Sequence, residues 1–88
     1  MTKITIKIQN ALGIHARPAG MIANTASGFE CDIKLVKDSL EINAKSIMGI
    51  MMLAAGQGSE IELITNGKDE VQASQAINTL FEKGFDEE

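Results

Sequence analysis

The only histidine, arginine and proline in this chain of 88 residues lie within one four-residue segment, His15-Ala16-Arg17-Pro18. Pro18 suits the first turn of a helix, where its missing N–H costs no hydrogen bond, so the segment marks a junction between a loop and a helix. The backbone N–H groups and the dipole at such a junction favour an anion. Arg17 adds a guanidinium suited to phosphate oxygens, and His15 adds an imidazole nitrogen that can act as a nucleophile. The segment therefore predicts a histidine that accepts and donates a phosphoryl group.

Three other roles for His15 must be weighed against this one. A lone histidine near a helix start is most often a surface or capping residue, and composition alone favours that interpretation. Metal binding is disfavoured, because the chain has no second histidine and its one cysteine, Cys31, is not expected to lie nearby. A Ser-His-Asp hydrolase is allowed by the residue count, but the sequence contains no nucleophile-elbow signature.

The overall composition restricts the class of protein. Eighty-eight residues suffice for one small domain, residues 1–88, and the 44% hydrophobic and 23% charged residues are typical of a globular chain. The net charge of -4 argues against a nucleic-acid partner, which would require a clustered basic surface. The N-terminal apolar residues alternate, unlike a signal peptide, and the longest apolar stretch, 47–55, is too short to span a bilayer. The single cysteine excludes an internal disulfide, so we expect a cytoplasmic protein without membrane insertion.

Alternating and helical spacings predict the element order βαββαβα, an α+β two-layer sandwich. The first helix has an apolar stripe at the spacing i, i+3, i+4, i+7, formed by Ala19, Ile22, Ala23 and Ala26. The last helix has a corresponding stripe, formed by Ala73, Ala76, Ile77, Leu80 and Phe81. Strands are predicted over 4–8, 31–36, 40–44 and 60–65, with helices from Pro18 to Gly28, over 47–54, and from Asp69 to Gly84.

Two helix caps are predicted from side-chain type. Ser46 is a good N-cap for the short helix that follows it. Asp69 can cap the last helix, with Gln72 placed to answer it as in a capping box. Gly84 is predicted to end that helix and to leave the acidic tail Asp86-Glu87-Glu88.

The short helix after Ser46 is apolar almost all round. Its core face is well explained by Ile50 and Leu53, but a short helix on a two-layer fold buries only one side. The remaining residues therefore predict an exposed apolar patch, which is typical of a docking site. Methionine suits such a surface, because its side chain repacks easily against different partners. The apolar residues of the whole helix segment, on both its core face and its exposed face, are Ile47, Met48, Ile50, Met51, Met52 and Leu53.

Two motifs carry a family resemblance. Gly13-Ile14-His15-Ala16-Arg17-Pro18-Ala19 looks like the active-site motif of the HPr family, the phosphocarriers of the bacterial phosphotransferase system. Lys45-Ser46-Ile47-Met48-Gly49-Ile50-Met51 resembles the segment around the regulatory serine in Gram-positive members. The resemblance implies an HPr-like open-faced β-sandwich, with a four-stranded antiparallel sheet in the order 1-4-2-3 and three helices on one face.

The resemblance also implies a mechanism. Enzyme I, charged by phosphoenolpyruvate, would pass a phosphoryl group to Nδ1 of His15, which would give it to a histidine of an EIIA-type protein. The Arg17 side chain and the backbone N–H groups of Ala16 and Arg17 would stabilise the phosphate without a cofactor or a metal, and Pro18 would hold these donors in place. Because such a carrier releases no product of its own, its classification as an enzyme stays open.

Regulation and docking are implied in the same way. An HPr kinase/phosphorylase would modify Ser46, and a catabolite-control repressor would be a partner of the modified protein. The docking surface would consist of Ile47, Met48 and Met51, with Gly20 nearby on the first helix. A monomer is expected, because a carrier must expose its site to successive partners.

Two further function classes remain open from the sequence. One is a regulatory interaction module that acts through phospho-His15 or phospho-Ser46 without sugar transport. The tail over residues 80–88 looks more like the nitrogen-related branch of the family, called NPr, whereas the Ser46 segment looks like the Gram-positive sugar branch. The regulatory paralogue Crh lacks the active-site histidine, so the presence of His15 disfavours that identity. The other class is a ligand-binding α+β domain, which the pairing of His15 with Arg17 disfavours.

Overall fold

The computed structural model describes residues 1–86, and over them it has the predicted element order. The predicted hairpin between the second and third strands is present, with a two-residue turn at Asp38-Ser39. A 3₁₀ turn at Gly84–Asp86, here named the C-terminal turn, follows the last helix. The elements are β1 Thr2–Lys7, α1 Ala16–Ser27, β2 Asp32–Lys37, β3 Leu40–Asn43, α2 Ile47–Met52, β4 Glu60–Asn66 and α3 Glu70–Glu82.

The four strands form one antiparallel sheet in the order β1-β4-β2-β3, which confirms the order implied by the resemblance. Leu63 of β4 lies opposite Ile4 of β1 and Leu35 of β2, so a fully buried leucine occupies the middle of the sheet. The side chains alternate with period two, and one face of each strand is therefore apolar. The helices cover that face, with α3 against β1 and β4, α2 against β3, and α1 against both other helices.

The opposite face of the sheet is charged, as expected for an open-faced sandwich. Lys3 pairs with Glu62 at 3.4 Å, and Lys34 pairs with Glu41 at 3.6 Å. Exposed pairs of this kind contribute little to stability, about 0–1 kcal/mol each. Their effect is to keep this face polar, so the apolar contacts concentrate on the helical side.

The buried apolar residues form one cluster between the sheet and the helices. The predicted stripe of α1 is buried at all four positions. The stripe of α3 is confirmed at Ala73, Ile77 and Phe81, whereas Ala76 and Leu80 are only partly buried and Ser74 is buried instead. No helix within residues 1–86 is both long enough and apolar enough to cross a membrane.

The predicted capping box at the start of α3 is wrong. Asp69 occupies the N-cap position, but within the described residues its side chain makes no capping bond to α3. Its carboxylate instead accepts hydrogen bonds from the backbone N–H groups of Glu30 and Cys31, each at 2.9 Å. The chain entering β2 passes beside the helix start and supplies these donors, which satisfy the carboxylate better than one N–H of its own helix. Gln72 is exposed.

This arrangement changes the acidity of two groups. The bond from the Glu30 N–H is the main cause that lowers the pKa of Asp69 below its usual value, and bonds from Cys31 act in the same direction. Burial raises the pKa of the Cys31 thiol to about 11, and its hydrogen bond to Asp69 adds to that rise. Cys31 is therefore a protonated thiol in the core, and Asp69 ties the start of β2 to α3.

We predict that Asp69→Asn lowers the urea midpoint of unfolding at neutral pH, because an amide oxygen replaces only part of a carboxylate that accepts two N–H bonds. The pKa of Asp69 is lowered in the folded state, so its contribution is present above the unfolded value of about 3.9. That contribution disappears as the pH falls through the lowered folded pKa. Urea unfolding of parent and variant at successively lower pH should therefore show a decreasing difference between their midpoints.

Asp38→Asn provides the matched control, since this carboxylate is exposed on the hairpin turn. It should leave the midpoint close to the parent value over the same pH range. A difference between Asp69→Asn and the parent that stays constant with pH would show that the carboxylate charge is not involved.

Candidate functional site

His15 is the N-cap residue of α1. Its backbone is extended, with φ -93° and ψ -167°, and its carbonyl accepts the first helical bond from the Ala19 N–H at 2.9 Å. In the part of the chain that the structure describes, the imidazole makes no capping bond to α1. The residue therefore begins the helix through its backbone, and the half-buried ring is not used as a cap.

The first turn of α1 has the features expected of an anion site. Ala16 and Arg17 are exposed, whereas Pro18 is buried and fixes the third helical position. N–H groups in the first turn of any helix have no acceptor inside that helix, and the dipole adds partial positive charge there. An oxyanion at this helix start would therefore meet backbone donors, and the cationic Arg17 belongs to the same turn.

The loop before His15 is held by backbone contact with the loop that follows α2. Ile14 donates its N–H to the Ala55 carbonyl at 2.9 Å, and the Asn10 side chain donates to the Gly13 carbonyl at 2.7 Å. Gly13 has φ +68°, and a Cβ there would lie 2.5 Å from the Ala55 oxygen. Only glycine allows this approach. Asn10 and Ala55 were not predicted as supporting residues, because their types give no sign of these contacts.

Arg17 has a partner that the sequence did not predict. Its Nη1 donates to the Phe85 carbonyl at 2.8 Å. The last helix ends at Glu82, as expected for a stop near Gly84, and Phe85 is buried in the core cluster. Of the predicted acidic tail, Asp86 belongs to the C-terminal turn, and Glu87-Glu88 lie outside the described residues.

Ser46 is the N-cap of α2, as predicted. Its hydroxyl accepts a hydrogen bond from the Gly49 N–H at 3.1 Å. The neighbouring Lys45 donates through Nζ to the Phe29 carbonyl at 2.8 Å, so this helix start is also fixed to the chain before β2. The helix ends at Met52 and not at residue 54, because Ala54 adopts a left-handed conformation with φ +49°.

An exposed apolar surface covers the outer side of α2. Ile50 and Leu53 are buried, as the core interpretation requires. Met48 is 79% exposed and Met52 67% exposed, and the whole surface, here named the apolar patch, consists of Ile47, Met48, Met51 and Met52. Met52 was not among the docking residues predicted from the sequence. Gly20 on α1 is half-buried, and Leu12, in the loop before His15, adds a second exposed apolar side chain.

The apolar patch and His15 share one structural support. The helices α1 and α2 pack against each other, and the Ile14–Ala55 bond joins the two loops at their ends. A protein that docks on the patch would therefore meet the His15 ring in a fixed geometry. Residues 1–86 contain no cluster of three or more His, Cys, Asp or Glu side chains that could hold a metal ion.

Comparison with known proteins gives relatives that match over nearly the whole chain. The family model described as the PTS HPr component phosphorylation site matches residues 2–83. The phosphocarrier protein HPr of Treponema pallidum is 52% identical over 84 residues, 96% of each chain. That of Neisseria meningitidis is 45% identical over 87 residues, covering 99% of this chain and 98% of the relative. The crystal structure of HPr-C-His from Thermoanaerobacter tengcongensis has a TM-score of 0.96 and 46% identity, covering 100% and 99% of the two chains.

We predict that Gly13→Ala lowers the free energy of unfolding by about 2–4 kcal/mol, since the new Cβ would collide with a backbone oxygen at positive φ. Gly20→Ala is the matched control, because a Cβ at Gly20 would meet nothing within 4 Å. It removes a glycine from a helix interior and should raise stability by up to about 1 kcal/mol. Chemical denaturation of both variants checks this, and equal effects of the two would contradict the close approach at Gly13.

Proposed function

The chain belongs to the HPr family of the phosphotransferase system, and on that premise we propose that it carries a phosphoryl group on His15 between Enzyme I and EIIA-type proteins. The observation that carries the proposal is the position of His15 at the N-cap of α1, directly before exposed Arg17 and buried Pro18. A helix start is where backbone N–H groups and the dipole favour an anion.

The proposed step is a transfer between two histidines. Nδ1 of His15 attacks the phosphorus of phospho-Enzyme I, an N–P bond forms, and the N–P bond to the Enzyme I histidine breaks with its electron pair returning to that ring. Passing the group to EIIA repeats the exchange with His15 as the leaving group. The transition state spreads negative charge over the equatorial phosphoryl oxygens, so positioning and electrostatics supply most of the catalysis.

The residues around His15 supply the groups that this step needs. The N–H of Ala16 and that of Arg17 lie in the first turn, where the helix dipole favours negative charge. The Arg17 guanidinium adds charge-assisted hydrogen bonds, and buried Pro18 keeps the turn rigid. These residues require no cofactor and no metal for the transfer.

We further propose that the apolar patch, with Gly20 beside it, docks both partners in turn. Its methionines can repack against two different surfaces, which a carrier needs. Because both partners must reach one site, the carrier is proposed to act as a cytoplasmic monomer. Ser46, at the edge of the patch, is proposed as a regulatory site for an HPr kinase/phosphorylase, with a catabolite-control repressor as the partner of the modified protein.

We predict that His15 is the sole acid-labile phosphorylation site. Incubation with phosphoenolpyruvate and Enzyme I should add the mass of one phosphoryl group to the parent protein and none to His15→Ala. Circular dichroism of the variant should match the parent, because the ring makes no capping bond to α1 within the described residues. Normal charging of His15→Ala would remove the site assignment. Charging without onward transfer to any EIIA-type protein would instead favour the regulatory module.

We predict that Met48→Asp weakens docking to Enzyme I by about tenfold or more, because the partner surface must then desolvate a charge. The melting temperature should stay near the parent value, since Met48 is 79% exposed. Val71→Asp is the matched control: it places the same charge on an exposed apolar position of α3. Calorimetric titration with Enzyme I measures both, and equal weakening by the two would exclude a specific patch.

We predict that Ser46→Asp raises the KM for phosphorylation of His15 by Enzyme I, and that phosphorylated Ser46 raises it more. Phosphate adds about -1.5 to -2 charges at the edge of the apolar patch, whereas aspartate adds one. Both are tolerated by the fold, because negative charge is favourable at a helix start. Ser46→Ala separates the two roles: it should cost about 1 kcal/mol of stability through loss of the cap and leave KM unchanged. An unchanged KM for both charged forms would leave Ser46 as a helix cap only.

A further inference from the structure

The apolar patch on α2 contains three of the five methionines of the chain, Met48, Met51 and Met52. All three are exposed, and their spacing i, i+3, i+4 makes their thioethers neighbours on one face of the helix. We propose that these methionines form an oxidation site, where a hydroperoxide converts the thioethers to sulfoxides and thereby prevents docking of the phosphotransfer partners. The inference rests on the proposed docking function of the patch and adds a modification of that surface.

The other sulfur atoms of the chain do not compete at this surface. Cys31 is buried, and burial raises the pKa of its thiol to about 11, so the reactive thiolate is absent at neutral pH. Met21 is partly buried and packs against the core. Met1 is 76% exposed, but it precedes β1, at the opposite edge of the sheet from β3, against which α2 packs. The sulfur atoms that are both accessible and part of a docking surface are therefore those of the apolar patch.

The proposed reaction is a two-electron oxygen transfer. The thioether sulfur attacks one oxygen of the hydroperoxide, an S–O bond forms and the O–O bond breaks. The second oxygen leaves as an alcohol, or as water when the reagent is hydrogen peroxide, so the sulfur is oxidised and the peroxide reduced. Methionine sulfoxide reductases reverse the change with two thiols, which become a disulfide while the sulfoxide oxygen leaves as water.

Oxidation would change docking and leave the fold intact. A sulfoxide is polar and accepts hydrogen bonds, so a partner surface that receives apolar side chains would have to desolvate it. The core contacts of α2 come from Ile50 and Leu53, which carry no sulfur and are buried. Because His15 also carries no sulfur, we expect oxidation to raise the KM for transfer from phospho-Enzyme I and to leave kcat near the parent value.

Peptide mass spectrometry after brief treatment of the whole protein with hydrogen peroxide tests the order of reactivity. Met48, Met52 and the reference Met1 should be oxidised first, followed by Met51. Met21 should react at least about fivefold more slowly than Met48, since susceptibility follows exposure, and Cys31 should stay reduced. Oxidation of Met21 or Cys31 as fast as that of Met48 would overturn the inference.

Binding to Enzyme I that has not met peroxide tests the consequence. Calorimetric titration should show about tenfold or more weaker binding of the oxidised parent, with recovery after treatment with methionine sulfoxide reductases. The triple variant Met48→Leu, Met51→Leu, Met52→Leu keeps an apolar patch of similar volume that cannot be oxidised. It should bind equally well before and after peroxide, although Met1 is still oxidised. Met21→Leu is the matched control and should remain as sensitive as the parent.

The outcomes separate this inference from the function on which it rests. Undiminished binding of the oxidised parent, or equal weakening of the triple variant by peroxide, would overturn the oxidation site. If the triple variant binds poorly before any treatment, the reductase experiment on the parent decides, and absence of recovery would overturn the site. Failure of the untreated parent to bind Enzyme I would instead overturn the proposed function.

Discussion

The geometry of the site depends on one backbone contact, the hydrogen bond from the Ile14 N–H to the Ala55 carbonyl. It joins the loop that leads into α1 with the loop that leaves α2, and Gly13 permits it because any Cβ would collide with the same oxygen. The contact fixes the backbone of His15, which begins α1. His15, the proposed nucleophile, and the apolar patch are therefore positioned by the same junction. The proposed exchange of partners would benefit from this, because a protein docked on the patch would meet His15 at a constant offset.

The two faces of the sheet differ in what they contribute, since the core and the candidate site share one face. The charged open face carries weak surface pairs, whereas the helical face contains the core, the helix starts and the apolar patch. Three junctions fix those helix starts: Gly13-Ile14 before α1, Ser46 at α2 and Asp69 at α3. Among the three helix starts within residues 1–86, Ser46 is the one N-cap whose side chain accepts an N–H of its own helix. The start of α1 is instead formed through the backbone of His15, whose carbonyl accepts the Ala19 N–H.

The sequence was informative where the controlling interactions are local. Period-two and helical spacings predicted all four strands and three helices, and Ser46 was identified as a cap because its acceptor bond reaches only three residues along the chain. Asp69 was misinterpreted because its partners come from the chain before β2, about forty residues away (39 and 38 positions), which no local pattern indicates. Phe85 was missed for the same reason, since its contact with Arg17 spans 68 positions. The strand order came from the family resemblance and not from the residues themselves.

Four residues other than glycine have a left-handed backbone within residues 1–86: Asp38 on the hairpin turn, Ala54, Phe85 and Asp86. The positions of Ala54 and Phe85 argue that their strain is related to the site. Ala54 has φ +49° immediately before the carbonyl that Ile14 uses, and Phe85 has φ +57° at the carbonyl that Arg17 uses. Each such residue costs about 1–2 kcal/mol, which glycine would largely avoid. The strain persists where neighbouring contacts fix the conformation, as the buried ring does at Phe85. In both cases the strained segment carries a carbonyl that accepts a hydrogen bond from the start of the first helix. The Ala55 carbonyl accepts from the backbone of Ile14, before His15, and the Phe85 carbonyl accepts from the side chain of Arg17, after it. The start of α1 is thus held from two distant parts of the chain, a rigidity that suits the proposed transfer of a phosphoryl group at His15.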